Sequence, residues 1–211
     1  MKILFSALLV GLISIAFTYA PGEGETINIG NKAPKATLKM KDVSGAEISL
    51  KDKMGDQGLL VIFSCNTCPF VVGRADSEGW EGRYNNVAQQ AESHGIGSIL
   101  VNSNEAKRGD EDSFEKMVER ASENRYLMAY VVDKDHVIAD AFGARTTPHV
   151  FLFNNKFELV YKGAIDDNND SSGEVKEHWL NDAMANLSEG KEIDPNATRN
   201  IGCSIKRVKK D

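Results

Sequence analysis

GLLVIFSCNTCPFVV, residues 58–72, runs from a glycine through five apolar residues into two cysteines three positions apart. A continuous apolar run bounded by a glycine reads as a strand buried on both faces. That strand would deliver Cys65 at its C-terminal end. Pro69 suits the first position of a helix, where its missing N–H costs little. The pair therefore sits where a buried strand turns into a helix. Unpaired N–H groups and partial positive charge at a helix N-terminus stabilise a thiolate and lower its pKa. On this reading Cys65 is the exposed, attacking sulfur, and Cys68, one turn inward, resolves the mixed disulfide by attacking Cys65.

Working outward, the pattern alternates between periods of 3.6 and 2. Residues 69–93 read as a helix, with Trp80, Tyr84, Val87 and Ala91 at helical spacing; Gly73, Gly79 and Gly82 weaken or bend it, and Gly95 ends it. Strands follow at 96–101 and 128–132, separated by an amphipathic helix over 112–124 that places Phe114, Met117, Val118 and Ala121 on one face. A short helix over 137–142 closes at Gly143, strands 150–153 and 159–162 meet at Asn154-Asn155, and a last helix spans 175–187 before Gly190. Upstream, residues 36–40 and 47–50 alternate around Ser44-Gly45 as a hairpin. Strands alternating with helices give an α/β fold with a mostly parallel sheet and antiparallel edges.

The chain has 211 residues, 41% of them apolar, enough for one domain with a buried core. We divide it into an N-terminal segment 1–20, a flexible leader 21–30, a domain 31–190 and a loose tail 191–211. Lys2 followed by an apolar run through Ala20 reads as a signal peptide, or as an uncleaved membrane anchor over residues 3–20. The remainder is expected outside the cytoplasm, periplasmic or secreted. A net charge of −6 leaves no basic surplus to neutralise phosphates, which argues against a nucleic-acid partner. Lys206, Arg207, Lys209 and Lys210 read as a solvated tail. Three cysteines, two of them close together, are the wrong inventory for a disulfide-stapled domain. Cys203 is read as a small buried residue, with a second redox thiol or a dimer link as alternatives.

A second signal is Thr146-Thr147-Pro148-His149, just before a strand. Proline is foreign to a central strand, and a cis bond at Thr147-Pro148 would bring this loop beside the cysteines. Together CNTCPFVV, TTPHVFLFNN, YKGAIDDN, the opening IGNKAPKATLKMKDVSGAEISLKD and the ending GCSIKRV resemble the thioredoxin-like redoxins, in their peroxiredoxin-like (alkyl hydroperoxide reductase/thiol-specific antioxidant) branch. The matches run over about residues 29 to 208. The resemblance implies a thioredoxin fold: a central mixed sheet flanked by helices, with an N-terminal β-hairpin extension. It implies Cys65 as nucleophile, Cys68 as resolving thiol and Pro148 as the cis-proline, with the Thr147 backbone pairing with a substrate strand. No bound cofactor is implied. The partners would be protein or small-molecule disulfides and a redox partner protein, a membrane reductase if the chain is a reductant.

The sequence also departs from that family. Peroxiredoxins carry P-x-x-x-T/S-x-x-C. Counting back from Cys68 puts Cys65 at the Thr/Ser position and Val61 at the proline; counting back from Cys65 gives Ile62 and Gly58. Ser64 stands where thioredoxins have tryptophan, and the place of their buried aspartate, around Leu59, is apolar. Proton transfer to Cys68 then needs water or a group from elsewhere. The expected function is exported thiol–disulfide oxidoreductase. Two alternatives stand beside it: a peroxidase of peroxiredoxin type, and a copper-delivery redoxin using Cys65, Cys68 and His149. Asp166, Asn168, Asp170 and Glu177 have calcium-loop spacing, but Ser171 stands where the turn wants glycine, so a solvated loop is the better reading.

Overall fold

The computed structural model describes residues 25–209. The expected signal segment and the start of the leader lie outside the described residues. Among those described, no helix is long and apolar enough to cross a membrane.

All seven residues of β3 (Gly58–Ser64) are buried. It pairs in parallel with β4 (Ile96–Asn102) and antiparallel with β7 (His149–Asn154). Around these three strands the sheet is completed by β1 (Met40–Asp42), β2 (Glu47–Ile48), β5 (Ala129–Val132) and β8 (Leu159–Gly163), in the order β2-β1-β5-β4-β3-β7-β8. Successive side chains of β3 point to opposite faces. Leu60 and Ile62 pack with Tyr84, Val87 and Ala91 of α2 (Tyr84–Ser93) and with Leu180 and Met184 of α5 (Trp179–Ser188). Leu59, Val61 and Phe63 pack on the other face with Ile138 and Phe142 of α4 (Val137–Phe142). Each fully buried aliphatic or aromatic side chain contributes about 1.5–3 kcal/mol. That two-sided burial is why β3 shows no polar alternation. A mixed sheet with helices on both faces and a leading hairpin is the thioredoxin-like architecture.

Several elements differ from the sequence expectation, each for a local reason. The helix expected over 69–93 is two pieces, α1 (Pro69–Val72) and α2. Between them Gly73 and Gly79 take left-handed φ of +81° and +68°, and a Cβ on Gly79 would lie 2.4 Å from the Val71 carbonyl oxygen. Trp80 therefore lies outside any α-helix, and its Nε1–H donates to Asp166 Oδ1 at 2.7 Å. α5 starts at Trp179, not 175, because Asp167 Oδ1 takes the N–H groups of Lys176 and Glu177 at 2.9 and 3.2 Å. α3 (Phe114–Glu123) is capped by the Ser113 hydroxyl; it buries Met117 and Ala121 but leaves Val118 exposed. The strand expected from 36 begins only at Met40, since Leu38 N–H turns back to the Lys35 carbonyl at 2.9 Å. The β7–β8 turn is longer than Asn154-Asn155: Asn154 Oδ1 accepts from Lys156 N–H and Glu158 N–H, at 2.9 and 3.0 Å.

Both ends of the described chain pack against the domain, where a flexible leader and a loose tail were expected. Ile27 is buried and Thr26 donates to the Gly143 carbonyl at 2.8 Å. At the other end β9 (Cys203–Ser204) pairs antiparallel with β6 (Thr146–Thr147), and Ile205 enters the core. Arg207, read as part of a solvated basic tail, donates to Asp140 and to the Ala144 carbonyl. The tail satisfies backbone groups of Arg145 and β6, and Ile205 adds apolar burial.

Gly79→Ala is expected to lower stability by more than about 1 kcal/mol, since it adds a clash to a disfavoured φ. Urea unfolding followed by far-ultraviolet circular dichroism measures this; an unchanged midpoint would refute the account of the helix break.

Candidate active site

β3 releases the chain at Ser64, whose buried hydroxyl bonds Tyr84 OH at 2.9 Å. The next four residues form the turn, and Cys68 is the N-cap residue of α1. Cys68 N–H reaches Cys65 Sγ at 3.3 Å. The Thr147–Pro148 peptide bond is cis. Its loop lies directly against both sulfurs: Thr147 Oγ1 is 3.1 Å from Cys65 Sγ, and the Thr147 carbonyl accepts from Cys68 Sγ at 2.9 Å. The four residues singled out from the sequence, Cys65, Cys68, Thr147 and Pro148, thus meet in one place. The cause is register: Phe63 of β3 lies opposite His149 of β7, so the end of one strand faces the start of the other.

Both cysteines are free thiols, and each is 2% exposed. The expected exposed Cys65 is therefore a buried one in this conformation, because the cis-proline loop lies on it and the C-terminal strand lies beyond. Cys203 N–H donates to Cys68 Sγ at 3.2 Å. The Thr147 backbone, expected to await a substrate strand, is already paired with Cys203.

Sequence reasoning missed Asp112. Its carboxylate is fully buried and accepts four hydrogen bonds: from Asn66 N–H at 2.7 Å, the Thr67 hydroxyl at 3.2 Å, Asn102 Nδ2 at 2.8 Å and Asn104 Nδ2 at 2.9 Å. Arg108 secures this loop by donating to the Asp112 and Asn102 carbonyls. Tyr130 OH, held by Asn102, donates to Asn66 Oδ1 at 2.9 Å. The two residues between the cysteines are thus clamped by a carboxylate that two asparagines hold in turn. In the sequence Asp112 shows only as an acidic residue ahead of a helix cap.

Electrostatics follow from this shell. The two neighbouring thiols split each other's titrations. Cys65 is raised well above the ordinary thiol range by Cys68, by burial and by the Asp112 charge. Cys68 is lowered, chiefly by Cys65. The helix N-terminus does not make Cys65 the low-pKa thiol, because the neighbouring Cys68, burial and the carboxylate outweigh it.

His149 is buried against Phe151 and its Nδ1 accepts from Arg145 N–H at 3.4 Å. Burial first, then the charges of Lys162 and Arg145, lower it to about 3, so the ring is neutral. Among the described residues no group of three or more His, Cys, Asp or Glu side chains is placed to hold a metal ion, so Cys65, Cys68 and His149 do not form the ligand set of the copper alternative. Asp166, in the stretch read as a solvated loop, is instead buried and paired with Arg83 at 2.6 Å.

Residues 28–177 match the redoxin family. The chain belongs to that family. It is similar to an uncharacterized conserved protein from Geobacillus kaustophilus, at 27% identity and a TM-score of 0.78 over 96% of this chain and 100% of that one. It is likewise similar to a hypothetical protein from Sinorhizobium meliloti 1021, at 28% identity and a TM-score of 0.78 over 88% and 98% of the two chains. Peroxidoxin BcpB from Mycobacterium tuberculosis shares the fold, at 12% identity and a TM-score of 0.53, covering 76% of this redoxin and 96% of that chain. No curated protein matches the chain.

Two substitutions test the redoxin's site. Asp112→Asn removes the negative charge that opposes a thiolate at Cys65, so that thiol should titrate at lower pH, read by thiolate absorbance. The same change turns a donor toward donors and should cost roughly 1–3 kcal/mol in stability. For His149, the folded ring stays neutral down to about pH 3, whereas the unfolded ring takes a proton near 6.5. Stability is therefore full above pH 6.5 and falls as pH drops, levelling near 3. His149→Phe should flatten that acid-side slope in denaturation measured across this range; an unchanged slope would refute the neutral-ring assignment.

Proposed function

We propose that this redoxin is a thiol–disulfide oxidoreductase in which Cys65 attacks a substrate disulfide and Cys68 resolves the product. The observation that carries the reading is the dithiol itself: two free thiols three positions apart, Cys65 Sγ against the hydroxyl of Thr147 and Cys68 Sγ against its carbonyl.

Cys68, the lower-titrating thiol, first gives its proton to solvent and then, as a thiolate, takes the proton of Cys65. Cys65 Sγ, with the Cys68 N–H and the Thr147 hydroxyl to hold its charge, attacks one sulfur of the substrate. The substrate S–S bond breaks, its second sulfur leaves as a thiolate and takes a proton, and a Cys65 mixed disulfide forms. Cys68 then attacks Cys65 Sγ and expels the remaining substrate thiol. The substrate gains two electrons and two protons; the pair ends as a Cys65–Cys68 disulfide. Thr67, whose hydroxyl lies 3.8 Å from Cys65 Sγ and 3.2 Å from Asp112, links the sulfur to the one buried carboxylate of the turn.

The reading extends to place and partner on sequence grounds alone. Lys2 and the apolar run through Ala20 support export, and a working cycle outside the cytoplasm requires an electron partner, protein or small molecule, that reaches Cys65–Cys68.

The test is turnover of a small disulfide by single variants. Cys65→Ser should lose activity to background, and Cys68→Ser should accumulate covalent mixed disulfides with the substrate. Full activity in both variants would sink the assignment. Peroxide consumption that survives Cys68→Ser but not Cys65→Ser would replace it with the peroxidase reading.

A further inference from the structure

The oxidoreductase reading uses two of the three cysteines. The third is held against them by built structure. Thr146 pairs with Ser204 and Thr147 with Cys203. Cys68 Sγ lies between the two strands, 2.9 Å from the Thr147 carbonyl oxygen and 3.2 Å from the Cys203 amide nitrogen. The close approach requires a glycine: a Cβ on Gly202 would stand 2.3 Å from the Thr147 carbonyl oxygen. Asn200 Nδ2 donates to Thr146 Oγ1 at 2.7 Å on one side of Cys203. On the other, Ile205 N–H donates to the Arg145 carbonyl at 3.0 Å, Lys206 N–H donates to Asn104 Oδ1 at 2.8 Å, and Ile205 is buried. The tail is thus anchored before and after Cys203. The neighbouring Cys203 thiol opposes the lowering that Cys65 produces at Cys68. Cys203 is half-buried, whereas Cys65 and Cys68 are each 2% exposed. Of the three thiols it is the one a partner reaches first.

We propose that Cys203 is a third redox thiol, which exchanges with the Cys65–Cys68 disulfide at Cys68 and carries electrons between the buried pair and an external dithiol. This rests on the oxidoreductase reading of Cys65 and Cys68. In the exchange, Cys203 loses its proton and its sulfur attacks Cys68 Sγ. The Cys65–Cys68 bond breaks, a Cys68–Cys203 bond forms, and Cys65 leaves as a thiolate that takes the proton. No net oxidation occurs in that step. An external dithiol then attacks the sulfur of Cys203 and releases Cys68. Its second thiol attacks the new mixed disulfide and releases Cys203. The dithiol becomes a disulfide, and the protein gains two electrons and two protons.

Disulfide mapping by mass, on the full chain in a glutathione redox buffer, tests this. Cys65→Ser retains only Cys68 and Cys203. It should lose two hydrogens and yield a linked Cys68–Cys203 peptide pair, and Gly202→Ala in the same background should need a more oxidising buffer to form the link. Partially oxidised wild type, acid-quenched and alkylated, should contain a fraction with Cys65 alkylated and Cys68 joined to Cys203. Glutathione on Cys68 with Cys203 free in the variant, and no such fraction in wild type, would overturn the relay. If wild type still forms a reversible Cys65–Cys68 disulfide, the oxidoreductase reading survives that result. If wild type forms no reversible Cys65–Cys68 disulfide, the oxidoreductase reading itself falls, and the relay with it.

Discussion

Everything in this redoxin hangs on β3 being paired on both edges and buried on both faces. Its hydrogen bonds to β4 and β7 leave it no freedom of register, because a slip of one residue would send every side chain to the wrong face. That constraint sets where the chain emerges at Ser64. It also sets what the emerging chain meets, since β7 begins opposite the last residues of β3. The juxtaposition of two cysteines with a threonine some eighty positions away in sequence is a consequence of strand register, and no special contact is needed to bring them together.

What register brings together, polar groups then hold. The turn between the cysteines is short and carries two polar residues, Asn66 and Thr67. Their backbone and side-chain groups point into the molecule, where an unpaired donor would be costly. Asp112 satisfies them, and two asparagines at the end of β4 and just beyond it satisfy the remaining capacity of its carboxylate. The clamp has an electrostatic consequence. The two neighbouring sulfurs share their protons unequally, with the easier deprotonation on Cys68, and the carboxylate that holds the turn adds to the opposition to a thiolate at Cys65. Positioning and nucleophile activation pull in opposite directions here.

The C-terminal strand changes the meaning of the site. Without it, β6 would present two residues of open backbone edge beside the dithiol. With it, that edge is filled by the chain itself, and Cys203 takes the place opposite Thr147. A client that binds through the same backbone edge must first displace the tail. The tail is bound by a two-residue strand, one buried isoleucine and a few hydrogen bonds around them, a small area compared with the core beneath it. Elements of that size open at lower free energy than the core does.

The sequence by itself determined the local parts. The apolar run of β3, the strand-to-helix turn at Cys65-Asn66-Thr67-Cys68-Pro69, the threonine before Pro148 and the α/β order are all written in contiguous residues, and local patterns carry them. The tertiary structure alone decided the rest. Asp112, Asn102 and Asn104 are ordinary polar residues in the chain, and they become a clamp only when the loops after β4 fold under the turn. Gly73 and Gly79 look like weak points of one helix; contacts of the loop between them with Asn169 and Asp170 hold the chain open between two. Cys203 looks like an isolated residue in a basic tail, because a two-residue strand has no period to read. Its placement beside Cys68 depends on a backbone edge that exists only once β7 and the loop before it are in place, and that edge joins residues more than fifty positions apart.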